Sequence, residues 1–324
     1  MNEQLAAQGI RLRDFRFEDI PALIDIRNRD QPDEPRTVER QEYFEKTYPA
    51  DNPRLRYAVE NAEGKFIGLG ACEHPIGFQA PGVYFVWIVV DPDWRRRGIA
   101  QALLAELVPY AHAQGAQKLW CFCKEDQPHS IRFLQHAGFT HFGLRFESIL
   151  DLTTFDERPF VSAIDRAQQA GFEFTTLAAE REINPEADRL LYELDHETGL
   201  EVPWPGGARM DWTYEQWRQR TVDGPDADPT AMLIAKYHGQ YAGSTSVEFS
   251  KNRPAHTFMT GVRPAYRRQG LALALKLLSF RLMKERGHLK TLTNNDTANP
   301  SILRLNEKLG YQKRPGAMQW EKLL

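Results

Sequence analysis

The chain has 324 residues, 42% of them hydrophobic and 26% charged, which is the balance of a folded globular protein. Its net charge of −3 argues against a dedicated nucleic-acid binder, which shows a basic face. No apolar run reaches transmembrane length, and Met1-Asn2-Glu3-Gln4 carries no signal-peptide pattern, so no membrane partner is expected. Three cysteines, an odd and sparse number, fit a reducing cytoplasm better than a disulfide framework. The length suits two domains of about 150 residues each.

The alternation in Ile10-Arg11-Leu12-Arg13-Asp14-Phe15 predicts an opening strand. Asp19 and Pro21 then start a helix through Leu23, Ile24 and Ile26, and a second helix is expected from Thr37 to Tyr48. Arg56–Glu60 and Lys65–Gly68 flank the turn Asn61-Ala62-Glu63-Gly64, which is a hairpin. The following strand carries Leu69, Ala71 and Glu73. Val83 to Val90 is a nearly continuous apolar run, as expected at the centre of a sheet.

That run ends at Asp91-Pro92, and Asp93-Trp94-Arg95-Arg96-Arg97-Gly98-Ile99-Ala100 leads into an apolar-periodic stretch. The order is strand, turn, helix, with glycine where the helix begins. The first-turn N–H groups of a helix have no internal partner, glycine lets the backbone approach a ligand, and arginines add charge. The implied ligand carries phosphate. In the helix, Ile99, Leu103 and Leu107 form one stripe, Gly115 caps the end, and Pro109 predicts a kink or an early stop. Leu119–Cys123 is the next strand, Pro128–Gln135 a helix, and Gly138-Phe139 opens closing strands to about Leu152. Cys121-Phe122-Cys123 shares a strand face, but no second ligand pair follows at zinc spacing, so the thiols are read as structural and no metal is expected.

Thr153 to Gly171 marks a boundary, and Phe160, Val161, Ile164 and Ala167 have helical spacing, so the linker itself can be a helix. A second unit restarts at Phe172. A helix follows Asn184-Pro185, a Pro/Gly-rich loop spans Gly199–Asp211, and Tyr214–Arg220 is another helix. Met232–Tyr237, Tyr241–Phe249 and His256–Val262 are strands. Then Val262-Arg263-Pro264-Ala265-Tyr266-Arg267-Arg268-Gln269-Gly270-Leu271-Ala272 repeats the first turn 172 residues later. The offset holds from Pro92 and Pro264 through Gly98 and Gly270 to Gly138 and Gly310, which means two copies of one unit. Neither turn has the Gly-Lys-Ser/Thr end of a P-loop or the Gly-x-Gly-x-x-Gly of a dinucleotide fold.

Arg-x-x-Gly-x-Ala after a strand, with Gly-Phe or Gly-Tyr forty residues on, resembles the GCN5-related N-acetyltransferase (GNAT) superfamily, here in tandem over nearly the whole chain. The resemblance implies an α/β fold of two GNAT-like domains, 1–152 and 172–324, joined by the linker 153–171. Each would have a central mixed, mostly antiparallel sheet flanked by helices. It implies acetyl-CoA as cosubstrate, its pyrophosphate on Val90, Arg95, Arg96, Arg97, Gly98, Ile99 and Ala100 in the first copy. In the second copy the corresponding residues are Val262, Arg267, Arg268, Gln269, Gly270, Leu271 and Ala272, with Asn299 as a further coenzyme contact or helix cap.

An amine would attack the thioester where the motif strand and the next strand splay, with backbone N–H groups at Val89-Val90 and Gly261-Val262 serving the oxyanion. Glu73 and Glu248, each near the end of the strand before the motif strand, are the candidate bases, and His74 and His256 are weaker ones. Many relatives carry a proton-donating tyrosine where this chain has Leu134 and Asn306. Asn294 and Asn295 suit coenzyme or capping contacts. Trp204, Met210 and Trp212 either wall an acceptor site or seal an interface. The expected activity is transfer of acetyl from acetyl-CoA to a primary amine of a small molecule or an amino terminus. The alternative is a coenzyme-A-binding regulatory or scaffold protein with one or both sites inactive.

Overall fold

The computed structural model describes residues 3–250 and 253–324. The chain forms two compact units whose boundaries are interleaved. The first comprises residues 1–76, 80–143 and 317–324, and the second 77–79 and 144–316. The halves 1–152 and 172–324 expected from the repeat therefore differ from these units in their last strands.

In the first unit the strand order is Arg11–Asp14, Arg54–Glu60, Phe66–Glu73, Val83–Val90, Lys118–Lys124 and Ala317–Leu323. All neighbours run antiparallel except Val83–Val90 and Lys118–Lys124, which are parallel and paired only over Val83–Phe85 and Lys118–Trp120. Helix Ile99–Ala113 buries Ile99, Ala102, Leu103 and Leu107, and a Cβ on Gly70 would lie 2.7 Å from Leu103, so helix and sheet meet closely. Helix Ile20–Asp30 covers the opposite face, with Leu23 and Ile26 on Ala58 and Leu69. Pro109 does not end the motif helix, which runs on to Ala113. Cys121 and Cys123 lie with Leu119 and Trp320 in the core, where burial raises both thiols, in keeping with a packing role.

The second unit has the order 144–151, Lys290–Asp296, Ala255–Val262, Gln240–Glu248, Met232–Tyr237 and Phe172–Thr176. Here too one parallel pair, Ala255–Thr257 with Thr291–Thr293, joins otherwise antiparallel strands. Helix Leu271–Glu285 buries Leu271, Leu275 and Phe280 on one face of the sheet, and helix Ala187–Gly199 lays Leu191 and Leu194 on the other. The stretch expected as a linker contains helix Ser162–Gln169. Its Ala163, Ile164 and Ala167 are buried in this unit's core, so it is not a tether.

Thr140–Asp151 is one strand that passes from the first unit to the second, and Ala317–Leu323 returns to the first. Each half of the chain thus lends its closing strand to the other unit.

Candidate active site

The two Arg/Gly turns have the same backbone. Pro92–Trp94 and Pro264–Tyr266 are single 3-10 turns. Arg96 and Arg268 follow at φ 65° and 62°, and Gly98 and Gly270 at φ 83° and 80°, each preceding the first helical residue. Arg95 and Arg267 before them are extended, so each turn sets two left-handed residues just ahead of the unpartnered first-turn N–H groups of a helix, the geometry of an anion nest. A Cβ on Gly98 or Gly270 would meet nothing within 4 Å, so the space beside both glycines is open.

The arginines divide their tasks in the same way in each copy. The Nε of Arg95 donates to the Val90 carbonyl at 3.2 Å and its Nη2 to Asp30 at 2.6 Å, while Nη1 lies 3.0 Å from His129. Arg267 Nε donates to the Val262 carbonyl at 2.8 Å and pairs with Glu201 at 2.7 Å. The first arginine therefore braces the strand end, using Val90 and Val262 as acceptors. Arg97 lies over the Trp94 ring at 4.6 Å. Arg96 and Arg268 are exposed and make no hydrogen bond or ion pair among the described residues. Ile99 and Leu271 are buried anchors of the motif helices, Ala100 and Ala272 sit in the first turn beside them, and Gln269 is exposed. Asn299 Oδ1 accepts from the Ile302 N–H at 3.4 Å and caps helix Pro300–Lys308.

Beyond their three paired residues, the two parallel strands of each unit have no common register, so the sheet opens there. The openings differ. In the second unit the register against Gln240–Glu248 jumps between Ser246/Met259 and Val247/Thr257, which leaves Phe258 as an extra residue in the motif strand. Such a bulge ends pairing and re-aims its neighbours. The first motif strand pairs without a shift from Gly68/Val90 to Glu73/Phe85.

Glu73 and Glu248 occupy corresponding places, opposite Phe85 and His256. The Trp87 indole donates to Glu73 at 2.9 Å, and Phe85, Trp87, Trp120 and Phe122 form one aromatic cluster, Trp87 stacked on Phe122 at 5.7 Å. Glu248 lies 3.8 Å from Nδ1 of His256, and Nε2 of that ring lies 3.2 Å from Asn294 Nδ2. An amide nitrogen only donates, so Nε2 accepts and the ring proton sits on Nδ1, toward Glu248. Both side chains are partly exposed. His74 instead packs edge-on against Tyr84, and burial lowers its pKa.

Leu134 is in the first unit's core, and Asn306 is buried with Nδ2 donating to Asn295 Oδ1 at 2.6 Å. Asn295 in turn donates to Ser148 at 2.8 Å. Neither position supplies an acid.

Sequence reasoning passed over Asp195. It stands on helix Ala187–Gly199, accepts from Ser244 Oγ at 2.9 Å and Trp217 Nε1 at 3.1 Å, and burial pushes its carboxyl up to about 6. An acidic residue in an amphipathic helix gives no sign of such burial. The loop after this helix holds Met210, which pairs with Phe78, and Trp212, whose indole lies against Gly77. Trp204 packs edge-on with Phe78 at 4.8 Å.

Residues 20–139 and 190–311 each match the acetyltransferase (GNAT) family. The chain belongs to that family. It is, as the repeated motifs led one to expect, an N-acetyltransferase with two GNAT domains. Among relatives, mycothiol acetyltransferase of Stackebrandtia nassauensis is 24% identical over 277 residues, 84% of each chain. The enzyme of the same name from Thermobispora bispora is 24% identical over 70% of this chain and 72% of its own. A solved tandem GNAT protein from the clavulanic acid biosynthesis pathway has the same fold, with a TM-score of 0.73 and 20% identity over 97% of this chain and 98% of its own. A GCN5-related N-acetyltransferase from Sphaerobacter thermophilus superposes with a TM-score of 0.68 at 16% identity, over 97% and 95%.

Proposed function

We propose that the second unit transfers acetyl from acetyl-CoA to a primary amine of a small molecule or an amino terminus, by direct attack. The observation that carries this reading is the bulged, opened motif strand with Glu248, His256 and Asn294 set across the opening. The anion nest beside Gly270, with the free Arg268, suits the phosphates of coenzyme A. Acetyl-CoA supplies an activated thioester carbonyl.

The residues of the chain do the rest. Glu248 takes the ammonium proton of the acceptor, directly or through one water, and His256 holds that carboxylate while Asn294 fixes the ring tautomer. Beyond Thr257 the motif strand no longer pairs with Lys290–Asp296, and backbone N–H groups on that edge toward Gly261 and Val262 serve as the oxyanion donors. With Asn306 hydrogen-bonded and Leu134 apolar, the leaving thiolate takes its proton from solvent.

A second reading concerns the first unit alone. Its matching nest and Arg96 support coenzyme A binding, while the aromatic cluster beside the opening and the Trp87 bond to Glu73 support a site without turnover. No helix among the described residues is long and apolar enough to cross a membrane. Three unpaired cysteines support a cytoplasmic location, and the acidic balance supports an acceptor that is not a nucleic acid.

Coenzyme A release with a panel of primary amines tests the transferase reading. Release from the parent chain that survives Glu73→Gln and falls with Glu248→Gln is the expected result. Tight acetyl-CoA binding with no release from any amine would leave only the binding-protein reading.

A further inference from the structure

Arg145 lies in the part of strand Thr140–Asp151 that belongs to the second unit, and it faces Asp296 across an antiparallel pair. Side chains alternate along a strand, so Arg145 shares a sheet face with Asp296, Asn294, His256 and Glu248. Its guanidinium lies 3.8 Å from the centre of the Trp204 ring, which Phe78 braces from the side.

The cation is stacked but not paired. Among the described residues its five donors make no hydrogen bond and it has no ion-pair partner within 4.0 Å. Burial lowers its pKa, opposed only by the charge of Asp296. Other arginines of the sheets are engaged: Arg13 with Asp19 and Glu60, and Arg54 and Arg56 with Glu45. Next to Arg145, Asp296 is 6% exposed; its Oδ1 accepts the Ala298 N–H at 2.9 Å, but its Oδ2 has no partner. The indole N–H of Trp204 is buried without one as well. Polar groups withdrawn from water with their bonds unmade are costly, and here three of them adjoin on the face that carries the proposed base.

We infer that Arg145 recognises an anionic group on the acceptor, so that the second unit acetylates an amine that also carries a carboxylate or a phosphate. The anion sits on the guanidinium over Trp204, while the Trp204 N–H and Asp296 Oδ2 offer a donor and an acceptor to neighbouring polar groups of the same molecule. One strand lies between His256 and Arg145, and the register sets them four residues apart along it, so their backbones stand roughly 15 Å apart and the extended side chains shorten the span the acceptor bridges. This rests on the transferase reading above, and the test keeps the two apart.

Coenzyme A release by the full chain is measured with three matched amines: 6-aminohexanoate, 6-aminohexyl phosphate and hexylamine. At least one anionic amine is expected to exceed hexylamine about tenfold in kcat/KM. Arg145→Gln should lower that ratio by roughly ten- to a hundredfold, and Arg145→Lys should restore part of it. Which anionic amine leads distinguishes carboxylate from phosphate. A ratio near one in the parent, or one that Arg145→Gln does not move, overturns the inference while leaving the transferase standing. If no amine is turned over, the transferase reading fails by itself, and calorimetric titration with hexanoate and with inorganic phosphate decides the inference. Binding to the parent that Arg145→Gln abolishes sustains it; no binding, or equal binding to both, overturns it.

Discussion

The carboxylate of Glu248 stands 3.8 Å from the Nδ1 of His256, whose other nitrogen is held by Asn294. In the first unit the same places around Glu73 are taken by Phe85 and Phe122. One fold therefore presents a polar relay in one copy and an aromatic filling in the other, and the predictions about chemistry follow from that contrast.

Glu248→Gln should lower turnover by roughly a hundred- to ten-thousandfold, the range for a positioned base, with acetyl-CoA affinity nearly intact. Glu73→Gln should leave turnover close to the parent value. His256→Ala acts through Glu248: losing the polar N–H edge that lies 3.8 Å from the carboxylate disfavours its charged form, so the acid limb of the pH–kcat profile should move to higher pH. His256→Gln, which keeps a donor, should move it less. A profile unmoved by His256→Ala would remove the imidazole from the mechanism.

Phosphate binding should separate the two arginines of each turn. Arg268→Ala is expected to weaken acetyl-CoA binding by calorimetry with little change in melting temperature, because that exposed side chain makes no hydrogen bond or ion pair among the described residues. Arg267→Ala also removes the brace on the Val262 carbonyl and should lower the melting temperature as well. Gly270→Asp introduces a side chain at φ 80°, at about 1–2 kcal/mol, and sets a negative charge in the nest, so binding should be lost. Binding retained by Gly270→Asp would mean that the nest is not the phosphate site.

Much of this organisation was legible in the sequence, because periodicity and a repeated motif are local signals. Met232–Tyr237 was read with its observed bounds, and Glu73 and Glu248 stand at the strand ends where they were expected. What escaped notice depends on pairing over distance. The bulge at Phe258 is a matter of register and has no residue signature. Arg145 belongs by chain order to the first half and by contact to the second unit. The strand exchange is invisible because Thr140–Asp151 and Ala317–Leu323 would each look the same in either sheet.

Lys276 gives a prediction about stability. It lies on the buried side of helix Leu271–Glu285 at 1% exposure, 5.4 Å from the Tyr311 ring, where the first copy has Leu104. Burial lowers its pKa from 10.5 to about 8. The folded state thus binds the proton less readily than the unfolded chain, so stability from this group is present above about pH 10.5 and lost as pH falls through about 8. Denaturant unfolding at pH 7 and pH 10 should show this rise, and Lys276→Leu should remove it. At pH 7 the variant is expected to be more stable by on the order of 1–3 kcal/mol. A less stable Lys276→Leu would mean that the ammonium has a partner it cannot spare.

The exchanged strands predict how the chain tolerates cutting. Ala317–Leu323 pairs along all of Lys118–Lys124 and brings the buried Trp320 into the first unit's core. A chain ending at Gly316 loses that strand and leaves Leu119, Cys121 and Cys123 beside an open edge, which invites aggregation. Losing a buried tryptophan alone costs about 3–5 kcal/mol, a large share of a domain's stability. Hydrogen exchange of the Leu119–Cys123 amides should therefore become much faster in the shortened chain. Residues 1–152 made alone should be unstable for the same reason, and the same fragment extended by a short linker and residues 317–324 should recover protection at Leu119–Cys123. Equal protection with and without the 317–324 segment would show that the first unit closes its sheet without it, and that the repeat's own boundaries are the folding boundaries.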